Sequence, residues 1–137
     1  MSLKRYARRQ VPARAARLLA AVLLALSAVV HAADLSPAEN ARIEYLMASV
    51  ASLAGAQFIR NGSTYDTPAA VDHLRLKLRL AGSHVRTAED FIRYCASASS
   101  VSGTPYQIRF ADGSLVPSAA YLTQKLKEYD EQRARGG

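Results

Sequence analysis

Apolar residues recur at helical spacing through the first part of the chain that could fold: Ile43, Leu46, Met47, Val50 and Leu53. That i, i+3, i+4, i+7 recurrence predicts a helix with one face turned to a core. Ser36-Pro37-Ala38-Glu39 gives it a start. The serine oxygen can accept from the N3 amide, proline occupies N1, and Glu39 closes a capping box. Gly55 supplies the stop. The pattern then shortens. Phe58-Ile59-Arg60 and Ser63-Thr64-Tyr65 flank Asn61-Gly62, a pair that tolerates the positive φ of a two-residue type I′ turn and so predicts a β-hairpin.

Thr67-Pro68 reads as N-cap and N1 of a second helix running to Gly82. Leu74, Leu76, Leu78 and Leu80 alternate with polar residues as a strand would. The cap and the lack of a breaker between 69 and 81 decide for helix. Its apolar residues then form two stripes, Val71/Leu74/Leu78 and Ala69/Leu76/Leu80, which predicts a helix sandwiched between two layers with both Leu74 and Leu76 buried. Thr87-Ala88-Glu89-Asp90 starts a third helix, with Phe91, Ile92, Cys95 and Ala98 facing inward. Residues 98–104 form a serine-rich loop, and Pro105 leads into an alternating strand over 106–110. Asp112-Gly113 turns the chain back to a strand at 114–116. Ser118 caps a last helix carrying Leu122, Leu126 and Tyr129, with 133–137 expected to fray and 33–35 a flexible start. Strands gathered in two hairpins, without βαβ alternation, predict an α+β fold. The hairpins join in one small antiparallel sheet packed with about four helices, since a lone hairpin is marginal in water.

The residues ahead of that region change the picture of charge and address. Lys4, Arg5, Arg8, Arg9, Arg14 and Arg17 precede an apolar run over 18–30, and Val30-His31-Ala32 offers a small-residue cleavage pattern. This layout predicts a cleavable export signal over 1–32, with cleavage after Ala32 or, as second choice, Ala33. The run is too short for a comfortable membrane span. Six of the 18 Lys/Arg residues lie in that leader, so the formal charge of +7 falls to 12 basic against 11 acidic residues in 33–137. A nucleic-acid or anionic-membrane partner therefore has no bulk electrostatic footprint. The 105 residues left after cleavage suit a single domain, periplasmic or secreted.

Four segments carry a resemblance: Phe58-Ile59-Arg60-Asn61-Gly62, His73-Leu74-Arg75-Leu76-Lys77, Thr87-Ala88-Glu89-Asp90-Phe91-Ile92, and Ser99-Ser100 with Ser102-Gly103-Thr104-Pro105-Tyr106. In this order and spacing they resemble the YfeK-like family of small exported bacterial proteins, a domain of unknown function. The similarity covers about 38–126. It implies a bacterial, periplasmic protein of one domain and carries over no activity, ligand or cofactor.

The candidate chemistry is sparse. His73 and His84 lack the short spacings of zinc ligands, so no metal or other cofactor is expected. A lone Cys95 on the inward face reads as a small buried hydrophobe. A small envelope hydrolase using the Ser99–Ser102 loop and His73 is the alternative reading, with Ser100 or Ser102 as nucleophile, His73 as base and Asp72 or Asp90 orienting it. It lacks a Gly-x-Ser-x-Gly elbow. The favoured reading is a non-catalytic binding domain, in which Arg60, His73, Arg75 and Lys77 converge with Ser100, Ser102 and Tyr106 on one surface. Cations beside a hydroxyl-rich loop suit a carboxylate or phosphate. The expected partner is another envelope protein or an anionic envelope component.

Overall fold

Helix α1 (Pro37–Ala51) begins where its cap predicts, with Ser36 Oγ accepting from the Glu39 amide at 3.2 Å. The computed structural model describes residues 34–137; the leader and the cleavage positions Ala32 and Ala33 lie outside the described residues. Glu39 does not turn back to close the capping box. Its carboxylate accepts instead from the Ala88 amide at 2.7 Å, an orphan donor in the first turn of another helix that needs an acceptor. The stop is also displaced: α1 ends at Ala51, and Gly55, with φ of +70°, lies in the turn beyond.

The first hairpin is the predicted one. Strands β1 (Gln57–Arg60) and β2 (Ser63–Tyr65) pair with Arg60 opposite Ser63. Asn61 and Gly62 take φ of +50° and +77° between them, the left-handed pair a type I′ turn requires. Helix α2 (Thr67–Ala81) is capped one residue earlier than predicted, by Asp66, whose carboxylate accepts from the Ala69 amide at 3.0 Å. Thr67 is free of that duty because its hydroxyl donates to the Leu53 carbonyl.

The sandwiched position predicted for α2 is corrected. Leu74 is 6% exposed and packs into the core, whereas Leu76 is 44% and Leu80 76% exposed. α2 packs against α1 and residues 92–96, but the sheet does not close over its second stripe. That stripe borders a groove instead.

A 3₁₀ turn (Gly82–His84) leads to α3 (Ala88–Phe91), which widens into a π-turn (Ile92–Ala96). Thr87 caps α3 as predicted, accepting from the Asp90 amide. The wide turn adds a residue to the helical cycle and moves the inward register on by one. Cys95 and Ala96 are fully buried, while Ala98, expected inward, is only half-buried. Strands β3 (Gln107–Arg109) and β4 (Leu115–Pro117) complete an antiparallel sheet of order β2-β1-β3-β4, so the two hairpins join through β1 and β3. Phe58, Ile108 and Val116 stand in register across it; Ile108 is fully buried and Phe58 packs on the helical core.

Helix α4 (Ser118–Arg135) starts after Pro117, without a side-chain cap. Ser118 is its first residue rather than the cap; it is buried, and its amide donates to the Tyr106 carbonyl. The helix continues through Arg135, beyond the point where fraying was expected. The fold is α+β, with four helices on a four-stranded antiparallel sheet. Its core is Ile43, Leu46, Met47 and Val50 of α1, Leu74 of α2, Phe91 and Cys95, and Leu122 and Leu126 of α4. Outside it, Arg42 gathers Glu39, Glu89 and Asp130 within 3.0 Å and ties α1, α3 and α4 together.

Candidate functional site

Arg60 is the last residue of β1, and the two-residue turn that follows fixes where it emerges. There its guanidinium meets His73: Nη1 lies 2.6 Å from Nδ1 and 3.0 Å from Nε2. Its other terminal nitrogen, Nη2, donates to the Tyr65 hydroxyl at 3.0 Å, and the guanidinium carbon sits 4.7 Å from the Tyr65 ring centre. His73 Nε2 is 3.3 Å from the Tyr106 hydroxyl. Lys77, one turn along α2, donates to the same hydroxyl at 3.3 Å and to the Ala98 carbonyl at 2.9 Å. Its ammonium lies 5.0 Å from the Tyr106 ring centre. Arg60, His73, Lys77 and Tyr106 thus come together in one cluster.

The electrostatics follow from this crowding. A ring nitrogen that accepts from Arg60 carries no proton, so the shorter contact assigns the proton to Nε2, facing Tyr106. Burial, the Arg60 charge and the Lys77 charge, in that order, hold the His73 pKa below its ordinary 6.5. The Arg60 hydrogen bond holds the Tyr65 phenol below its usual range. Among the described residues, no carboxylate lies within ion-pair distance of Arg60 or Lys77. Every hydrogen-bond acceptor these two cations use is neutral.

Two predicted members behave differently. Arg75 points away and pairs with Glu44 of α1 at 3.7 Å. Two residues along a helix turn the side chain through about 200°, so Arg75 cannot share the His73 side. The serine loop joins the cluster through Asn61 rather than through His73. Ser102 Oγ donates to Asn61 Oδ1 at 2.7 Å, and Asn61 Nδ2 donates to the buried Ser99 Oγ at 3.3 Å. Ser99 Oγ also accepts from the Val101 and Ser102 amides. Ser100 is exposed on the rim. The relay that the hydrolase reading requires is not made: His73 is bonded to Arg60 and Tyr106, and the Ser99 and Ser102 hydroxyls are occupied as described. Asp90 is spent on the Arg86 amide at 3.1 Å.

Tyr65 and Asn61 were not among the predicted site residues. The register that sets Tyr65 opposite Phe58, with strand residues two apart sharing a face, was the signal that could have found Tyr65. Cys95 is fully buried, and burial pushes its thiol up to about 11, so it stays protonated and inert. His84 is exposed, with Nδ1 donating to the Ala81 carbonyl. No metal-binding group of His, Cys, Asp and Glu occurs among the described residues.

The cluster stands between two hollows. A groove of about 450 Å³ opens between α2 and the sheet, with Phe58, Ala69, Ala70, Leu74 and Leu76 among its apolar walls and Arg60, Tyr65, His73 and Tyr106 at its polar part. Asp72 and Arg79 also border it. A second hollow of about 330 Å³ shares Arg60, Tyr65, His73, Leu76 and Tyr106 and continues to Lys77, Leu80, Ser100 and Val101. Arranged this way, the cations can receive an anionic group, while Lys77 also anchors the loop at Ala98.

Residues 37–130 match the model of a family of unknown function, DUF5329. An uncharacterised protein, YfeK, of Salmonella typhimurium is 37% identical over 90 residues, covering 66% of this chain and 75% of its own length. No solved structure matches.

Proposed function

The chain belongs to the DUF5329 family of unknown function, so its role has to be read from its own residues, and we propose that it is an exported envelope domain that binds an anionic group at the Arg60–His73 end of the α2–sheet groove. One observation carries this reading. Arg60, in the groove, and Lys77, in the adjoining hollow, hydrogen-bond only to neutral partners, and among the described residues neither makes an ion pair. A planar guanidinium suits a carboxylate or phosphate in a two-point geometry. A solvated cationic ridge is the plainer explanation elsewhere on α2, as at Arg75, but Arg60 is held in place by His73 and Tyr65 rather than waving in water.

The periplasmic or secreted address rests on the leader pattern of residues 1–32. Binding rather than catalysis is favoured because the His73 contacts go to Arg60 and Tyr106, and the Ser102 hydroxyl donates to Asn61 rather than to His73. The test is a titration of the protein with acetate and with inorganic phosphate at low ionic strength, followed by ¹H–¹⁵N shifts. Saturable shifts confined to 58–77 and 99–106, abolished in Arg60→Gln, support the reading. Shifts that do not saturate, or that persist unchanged in Arg60→Gln, overturn it.

A further inference from the structure

We infer that the occupant of this groove is a single-chain anionic amphiphile, its carboxylate or phosphate head at Arg60 and His73 and its alkyl chain along the apolar wall. This rests on the anion reading above and adds what the rest of the groove takes. The lining beyond the cation cluster is mainly apolar, with Phe58, Ala69, Ala70, Leu74 and Leu76, and its polar members are Asp72, Arg79, Gln107 and Ser118. An alkyl chain asks nothing more of such a wall. A peptide would bring an amide to be satisfied at every residue, and the apolar side chains that make up most of the wall offer no partner for it.

Exposure at the rim points the same way. Leu76 and Leu80 stand one helical turn apart and are 44% and 76% exposed, and Val101 across the second hollow is 97% exposed. Single exposed apolar side chains are ordinary on any surface. Here three line one hollow that also contains Arg60 and Lys77, which puts apolar surface and uncompensated positive charge side by side. A ligand that is anionic at one end and apolar along its length complements both. The groove volume of about 450 Å³ falls in the lower part of the range for small-molecule sites, roughly 300–1,000 Å³, which suits one chain. The source could be a free fatty acid or a single-chain phospholipid, since the head chemistry is shared.

The experiment is calorimetric titration of the protein with decanoate, decanol, acetate and a lysophosphatidylglycerol of the same ten-carbon chain, each below its micelle threshold. Decanoate is expected to bind at least about tenfold tighter than acetate and tighter than decanol, because chain and head both contribute. Leu76→Gln, at an exposed position that leaves the core intact, should erase several-fold of the decanoate advantage while leaving acetate binding unchanged. Tighter binding of decanoate than of the lysophospholipid assigns a free carboxylate head; the reverse assigns a phosphate head. Equal affinity for decanoate and acetate overturns the amphiphile inference and leaves the anion reading standing. Decanol binding as tightly as decanoate, with no loss in Arg60→Gln, overturns the anion reading itself. Binding only to anionic phospholipid vesicles, with no binding of monomeric decanoate, overturns the inference in favour of a membrane surface.

Discussion

Arg60 Nη1 lies 2.6 Å from His73 Nδ1, a guanidinium donating to an imidazole across thirteen residues of sequence. The contact needs a neutral ring, and burial with the Arg60 and Lys77 charges enforces one. Hairpin, helix and loop are held around that pair, so its protonation state bears on both stability and ligand affinity.

The pH dependence of folding follows directly. The native His73 pKa lies below the ordinary 6.5, so in acid the unfolded chain takes up the proton first. Stability from the neutral ring is complete above about pH 6.5 and is lost as pH falls through the native value. His73→Gln, whose amide oxygen can still accept from Arg60, should flatten the pH dependence of the urea midpoint between about pH 7 and 5. An unchanged slope in the variant would refute the assignment.

Gly62 holds φ of +77° in the turn that sets Arg60 and Asn61. Nothing lies within 4 Å of where a Cβ would stand, so the cost of Gly62→Val is backbone strain, about 1–3 kcal/mol. Thermal melting checks the magnitude. Because Asn61 bonds Ser99 and Ser102, the same substitution should also move the amide resonances of the 99–104 loop.

Leu74→Ala should cost about 2–5 kcal/mol, the usual range for a packed core leucine. Leu76→Ala, at a half-open position, should stay within about 0.5 kcal/mol. Urea denaturation of the two variants tests the one-sided burial of α2. Comparable losses at both would mean that its second stripe is covered after all.

That helix marks how far the sequence could be read. Asn61-Gly62 left one backbone geometry for the hairpin, and Ser36 and Thr87 marked true helix starts, because these choices are local. Leu76 looked like Leu74 in sequence, and its burial depended on whether the sheet reached across, which no local pattern states. The cap of α2 moved by one residue because Thr67 found a carbonyl on Leu53, fourteen positions away. The inward position after Cys95 moved because of a π-turn. For the site, i, i+4 spacing was enough to place His73 with Lys77. The same rotation should have excluded Arg75, whose Glu44 partner comes from another helix. Tyr65 and the Asn61 bridge to Ser99 and Ser102 needed the hairpin and the loop to be seen together.

Arg42 pairs with three carboxylates, and its guanidinium is mostly buried against Glu39, Glu89 and Asp130. Removing it in Arg42→Met leaves three carboxylates facing one another. The expected loss is about 1–3 kcal/mol, between the values for exposed and buried pairs. The Arg42 hydrogen bond holds the Glu89 carboxyl below its usual 4.5. That contribution is therefore present above about pH 4.5 and lost as pH falls through the native value. Denaturant midpoints of the variant at pH 7 and pH 3.5 should differ less than those of the unaltered protein.

The most direct test of anion binding at the Arg60–His73 pair is an NMR titration of the His73 ring Cε1 proton, with and without saturating decanoate. An anionic head beside the imidazole stabilises its protonated form, so the ligand should raise the His73 pKa, and by linkage decanoate should bind more tightly as pH falls through the free-protein value. His84, exposed and outside the lining of both hollows, serves as the internal control. A His73 pKa unmoved by decanoate, or moved no more than that of His84, would contradict the account.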